Sequence, residues 1–258
     1  MAAAEASPGS DAINIKVAMV GDAGVGKTSL MLRYVTGSFE DSYVESLGVS
    51  FLEKRIKLPQ AEVVMAIWDL AGGREHRAML PTACAEAVAV LFVFDLTDTR
   101  SLRSVRDWFR EVRRHSSTAR PLLVGTKFDV FFHKSDDFKE KMTHRARKYA
   151  QVMGAPLVFS SALRTINVKK MFRLVFNMAF DLPPTIKQMH DIGTPILEYE
   201  NAIASMPAAD RPAAAAAAPV PEDGVPEAVE EEAEPAAEEE TEEEEGAHIS
   251  EPEPEAEG

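Results

Sequence analysis

Gly21-Asp-Ala-Gly-Val-Gly26-Lys27-Thr28 has the spacing G-x-x-x-x-G-K-[ST]. A loop of that kind curls its backbone N–H groups around phosphate oxygens, so Asp22, Ala23, Gly24, Val25, Gly26, Lys27, Thr28 and Ser29 form a candidate phosphate site. Lys27 can reach the β and γ phosphates, and the Thr28 hydroxyl is a candidate magnesium ligand. Further on, Asp69-Leu-Ala-Gly72 closes an apolar run. Its carboxylate suits a magnesium contact through water, and the Gly72 N–H can approach a γ phosphate. Thr126-Lys127-Phe128-Asp129 brings a second carboxylate. That group can accept from the N1–H and 2-amino group of guanine, a pairing adenine lacks, while the Lys127 stem lies along the base. Ser160-Ser161-Ala162 can offer a backbone N–H to the guanine O6.

These residues need rigid elements to hold them. From Ile13 the chain alternates between two periodicities. Strands are expected at Ile15 to Val20, Val49 to Leu58, Val63 to Leu70, Val88 to Leu96, Pro121 to Gly125 and Pro156 to Ser160. Several are apolar on both faces, as strands covered by helices on two sides should be. Helices are expected at Lys27 to Thr36, Leu102 to Ser116, Phe138 to Met153 and Val168 to Phe180, with a less regular one around Arg74 to Glu86. Alternation of this kind implies a three-layer α/β domain with a six-stranded, mostly parallel sheet. Each motif falls at the carboxyl end of a strand, where such folds bind ligands.

The 258 residues carry a formal net charge of -14, and its distribution is uneven. Residues 201 to 258 hold 19 acidic residues and one basic residue, Arg211, whereas residues 1 to 200 hold 23 acids and 27 bases. A mildly basic domain over 13 to 184 is thus expected, followed by a short extension over 185 to 200 packing on or near it. The Ala/Pro/Glu-rich stretch from 201 onward has too little apolar area to offset its ordering entropy and is expected to be disordered, as is the N-terminus over 1 to 12. One cysteine, Cys84, excludes an intramolecular disulfide framework and points to a reduced compartment. The scattered histidines lack zinc-ligand spacing. With no spanning run, no leader, no myristoylation glycine at residue 2 and no cysteine near Gly258, a cytoplasmic monomer without a lipid anchor is expected.

Taken in order, the phosphate loop, Asp-x-x-Gly, Thr-Lys-x-Asp and Ser-Ala elements resemble the small GTPases of the Ras superfamily over about residues 13 to 182. Ser46-Leu-Gly-Val-Ser-Phe-Leu-Glu-Lys54, Ile67-Trp-Asp-Leu70, Gly125-Thr-Lys-Phe-Asp129, Ile166-Asn-Val168 and Ile192-Gly-Thr-Pro-Ile196 are similar to the septum-promoting GTPases, switches of septation initiation and mitotic exit. The resemblance implies GTP or GDP as ligand, Mg2+ as cofactor and GTP hydrolysis. It also implies an effector protein kinase, an activating protein and a scaffold at the spindle pole or centrosome. Phe39 falls where the family sets an aromatic against guanine, and Ser46 where a switch I hydroxyl binds magnesium. The assignment to a free nucleotide argues against nucleic acid as partner.

One departure bears on catalysis. The family's water-orienting glutamine follows the Asp-x-x-Gly glycine, and here that position is Gly73. Lys27, Gly72 and Gly73 are therefore the catalytic positions, the last without a side chain, and intrinsic hydrolysis is expected to be slow. The methyl of Ala23 near the γ phosphate reinforces that slowness. Rivals are a Rab-like trafficking GTPase and a GTP-binding scaffold that does not hydrolyse. His76 and Arg77 are expected as solvent-facing partner-binding residues, and Trp68 and Trp108 as packing residues.

Overall fold

The computed structural model describes residues 12–39 and 48–199, with Arg74 by its backbone alone. Its order is β1 (Ile13–Val20), α1 (Lys27–Thr36), β2 (Val49–Lys57), β3 (Glu62–Leu70), a 3-10 turn (Arg74–Met79), α2 (Leu80–Cys84) and β4 (Ala89–Asp95). There follow α3 (Thr99–His115), β5 (Arg120–Thr126), α4 (Phe128–Phe131), α5 (Asp136–Met153), β6 (Leu157–Phe159), α6 (Val168–Ala179) and β7 (Leu197–Glu198). The strands lie in one sheet in the order β2-β3-β1-β4-β5-β6-β7. The inner five run parallel; β2 and β7 are antiparallel edges.

Seven strands rather than six therefore make the sheet. The additional one comes from the extension after Pro184, where β7 pairs with β6 through Leu157↔Glu198 and Val158↔Leu197. Two residues have no readable alternation, but Ile196 and Leu197 are fully buried and give that edge its anchor. The irregular helix also resolves into two pieces, a 3-10 turn and a five-residue helix with Pro81 in its first turn.

Each face of the sheet has its own core. Phe92, Phe94, Trp108, Phe131 and Phe159 pack on the side of α2, α3 and α5. Val17, Met19, Ile67, Leu122, Phe172 and Val175 pack on the side of α1 and α6. β4 is buried at every residue, as a central parallel strand covered twice must be. α3 is amphipathic: Leu102, Val105, Trp108 and Val112 face inward, while Arg106, Arg110 and Arg114 face water. Asp98 caps it by accepting from the Arg100 N–H at 2.9 Å. Among the described residues no helix is long and apolar enough to cross a membrane.

Candidate nucleotide site

The loop Gly21–Gly26 leaves β1 at the centre of the sheet and delivers α1. Gly21, at φ 149°, passes so close to β4 that a Cβ there would lie 2.1 Å from the Val93 carbonyl oxygen. Only glycine lets the loop begin its curl at that point. The first α1 backbone bond runs from the Leu30 N–H to Gly26 O at 3.1 Å, and Gly26 supplies no side-chain cap. The amides of Lys27, Thr28 and Ser29 thus open a helix N-terminus beside the exposed Ala23 and Gly24, an arrangement suited to phosphate.

Lys27 is 5% exposed, with Nζ donating to Gly21 O at 3.0 Å and Asp22 O at 2.9 Å. Burial holds its ammonium below the ordinary lysine range, against the opposing pull of Asp69 and Asp22. An anion arriving here would meet a cation already desolvated and aimed. The Thr28 hydroxyl donates to the Asp69 carboxylate, which is fully buried at the end of β3. Hydroxyl and carboxylate oxygens are the hard donors magnesium takes, and among the described residues no group of three or more His, Cys, Asp or Glu forms a softer alternative. Thr28 and Asp69 would hold the ion. Ser46, the third proposed ligand, lies outside the described residues, whereas Phe39 lies within them.

Gly72 rests on the phosphate loop. A Cβ there would be 2.1 Å from the Ala23 nitrogen and 2.2 Å from the Asp22 carbonyl carbon, backbone that cannot yield. Beside it, a Cβ on Gly73 would meet the Glu75 carboxylate at 1.9 Å, the far end of a flexible side chain. Asp22 accepts a hydrogen bond from the Trp108 indole at 2.8 Å, and the Arg77 guanidinium lies 4.8 Å from the Trp108 ring centre. His76 and Arg77 are accordingly half-buried rather than solvent-facing. Trp108 joins the phosphate loop to the segment after Gly72, a contact beyond packing.

The base side is more tightly tied. Thr126 donates its hydroxyl to Val25 O at 2.5 Å and Phe94 O at 3.0 Å, fixing the end of β5 to the phosphate loop. Lys127, at φ 57°, pairs with Asp95 at 2.8 Å, which sets its stem alongside the opening. Asp129 accepts from the Ser161 hydroxyl at 2.6 Å, so the carboxylate assigned to guanine and the Ser-Ala element are in contact. The Ser161 N–H is already given to Ile166 O at 3.1 Å. The Ala162 N–H makes no hydrogen bond among the described residues, so it is the amide left for a base oxygen. Arg33 of α1 donates to Ala162 O at 2.7 Å and lies 5.5 Å from the Phe39 ring centre, joining both sides of the base opening. Asp95, Arg33 and Trp108 carry no motif, and sequence alone gives them no such role.

A Ras family model matches residues 16–180. Septum-promoting GTP-binding protein 1 of Schizosaccharomyces pombe is 46% identical over 187 residues, covering 72% of this chain and 94% of that protein. Ras-related protein Rab-8B of Dictyostelium discoideum is 32% identical over 159 residues, covering 61% of this chain and 76% of the relative. Ras-related protein RAB1BV of Beta vulgaris is 32% identical over 170 residues, covering 65% and 75%. Ras-family proteins are in general GTP hydrolases that use Mg2+ with GTP and GDP. With its phosphate loop, Asp69 and Asp129 gathered at the strand ends of one sheet, the chain belongs to the Ras family of small GTPases.

Proposed function

We propose that this chain is a slowly hydrolysing GTP switch that signals to a protein kinase controlling cytokinesis or mitotic exit. The observation that carries the switch reading is the joint placement of Asp129 against Ser161 and Lys27 inside the phosphate loop. Asp129 selects guanine, the amides of Asp22 to Ser29 and the Lys27 ammonium hold the phosphates, and Thr28, Asp69 and Ser46 hold magnesium. Bound there, Mg2+ neutralises charge on the phosphate oxygens. The hold of the γ phosphate on the segment from Asp69 to Pro81 is the signal, and hydrolysis releases it.

Slow chemistry follows from Gly73. Without a side chain to orient the attacking water, the chain depends on an activating protein to supply a glutamine and an arginine in trans. The pathway assignment is supported by the 46% identity to the septum-promoting protein over nearly its whole length. Cytoplasmic location with recruitment by a centrosomal or spindle-pole scaffold belongs to the same proposal.

Single-turnover hydrolysis by the purified chain, with and without cell extract, tests the chemistry. Slow turnover accelerated by extract is expected; fast intrinsic turnover overturns the proposal. Turnover absent under both conditions favours a GTP-binding scaffold, the reading Gly73 also permits. Capture of kinases by the GTP-loaded but not the GDP-loaded chain supports the pathway, and capture of vesicle-tethering proteins alone favours Rab-like trafficking.

A further inference from the structure

The loop carrying the base contacts is fastened to the extension that follows the domain. Ser161 and Ile166 exchange both backbone hydrogen bonds, at 3.1 and 3.0 Å, closing the loop on itself. Next comes Asn167, 7% exposed and at φ 55°. It stands at the N-cap of α6, where asparagine ordinarily accepts from the helix's first amides. Its side chain makes no such cap. Instead the amide donates to Phe159 O on β6 at 2.9 Å and to Pro195 O at 2.8 Å, with Ile196 O at 3.5 Å. The side chain has left its local role to join three backbone segments.

The extension has a second anchor away from the base. Arg147 of α5 holds Glu198 at 2.7 and 3.1 Å and also donates to His190 O. His190 Nδ1 lies 3.3 Å from the same carboxylate. Between the two anchors the Phe159 N–H donates to Ile196 O at 2.8 Å, carrying the sheet edge through β7. The extension therefore touches the base loop through Asn167 at one point and α5 through Glu198 at another.

We infer that residues 185–199 act as a strap that positions the guanine-recognition loop, with Asn167 as the positioning residue that transmits it. Loosening the strap at Glu198 lets the Ala162 amide drift from the base oxygen and speeds nucleotide release from the sheet edge far from Gly72. A partner that withdraws Glu198 from Arg147 would thus promote exchange without touching the switches. The inference rests on the guanine-site reading above.

Release of GDP and of 2-aminopurine riboside diphosphate, which lacks the base oxygen, is followed from the full chain and its variants. Asn167→Ala is expected to release GDP about ten-fold faster, because the hydrogen bonds to Phe159 O and Pro195 O are both lost. Glu198→Ala is expected to accelerate release about three-fold, and the double variant no more than Asn167→Ala alone, because both act through one connection. Release of the 2-aminopurine analogue is expected to be unchanged. Equal acceleration of both nucleotides, or GDP release unchanged in Glu198→Ala, overturns the strap. Should Asn167→Ala fail to fold, Glu198→Ala carries the test. A wild-type chain that holds GDP no better than ADP refutes the site itself. Selective GDP binding that is lost in Asp129→Ala, with wild-type release in the strap variants, refutes only this inference.

Discussion

The two ends of the nucleotide site are built in opposite ways. At the base end every recognition group is held by another part of the chain: Thr126 by Val25 and Phe94, Lys127 by Asp95, Asp129 by Ser161, and the Ala162 loop by Arg33 and Asn167. At the phosphate end Lys27 and Asp69 are buried and aimed, and among the described residues the segment beyond them is held differently: the Ala71 N–H donates to Gly48 O at 2.9 Å, Gly72 lies on the loop backbone, Arg77 on the Trp108 ring, and Gly73 has no side chain. Recognition is preorganised and chemistry is left to be completed. A switch benefits from that division, since tight braces keep the ligand while loose ones let its γ phosphate be reported.

The largest effect is expected from Asp129→Ala. Losing two hydrogen bonds to a charged acceptor should weaken GDP at least about 100-fold by competition binding, with no gain for ADP. A small loss would mean the base end is less decisive than its bracing implies. Next comes Gly72→Ala, whose Cβ has no room above Asp22 and Ala23. GDP affinity should change less than about three-fold while GTP turnover falls more than ten-fold, separating the two ends in one variant. Gly73→Gln restores the water-orienting group but places it against Glu75. Combined with Glu75→Ala it should raise single-turnover hydrolysis about ten-fold, and more than Gly73→Gln alone.

A further effect is one of pH, on the helix that links the two ends. Tyr34 of α1 stacks on Phe172 at 3.9 Å, and burial pushes its phenol up to about 12. The folded state keeps a proton that the unfolded chain releases near 10, so stability should be intact below that value and lost as pH rises from 10 to 12. Urea midpoints between pH 9 and 12 measure the decline, and Tyr34→Phe should remove that component.

How much of this was legible in the sequence depended on distance along the chain. Lys27, Thr28, Asp69 and the Thr126 to Asp129 run announce themselves because phosphate, magnesium and guanine each demand particular groups at close spacing. The strands and long helices were legible for the same local reason, with α1 found to the residue and β4 recognisable from its unbroken apolar run. The braces were not. Arg33 reaches a carbonyl 129 residues away, Trp108 a carboxylate 86 away and Asn167 a carbonyl 28 away, and no periodicity links such pairs. The seventh strand and α4 were missed because two and four residues span about one period each and show no repeat of it. His76 and Arg77 read as solvent-facing because their charge is visible in the sequence, while the indole under Arg77 is not.

The contact between Arg77 and Trp108 has an optical consequence. The chain has two tryptophans, and both carry a cation over the ring: Arg77 on Trp108, and Lys16, at 3.9 Å, on Trp68 of β3. Trp108 is further hydrogen-bonded to the phosphate loop. Any movement of the segment after Gly72 must slide a positive charge across an indole whose N–H touches the loop that holds phosphate. On the switch reading proposed above, the native ultraviolet emission of the unlabelled protein is expected to differ between the GTP- and GDP-loaded forms.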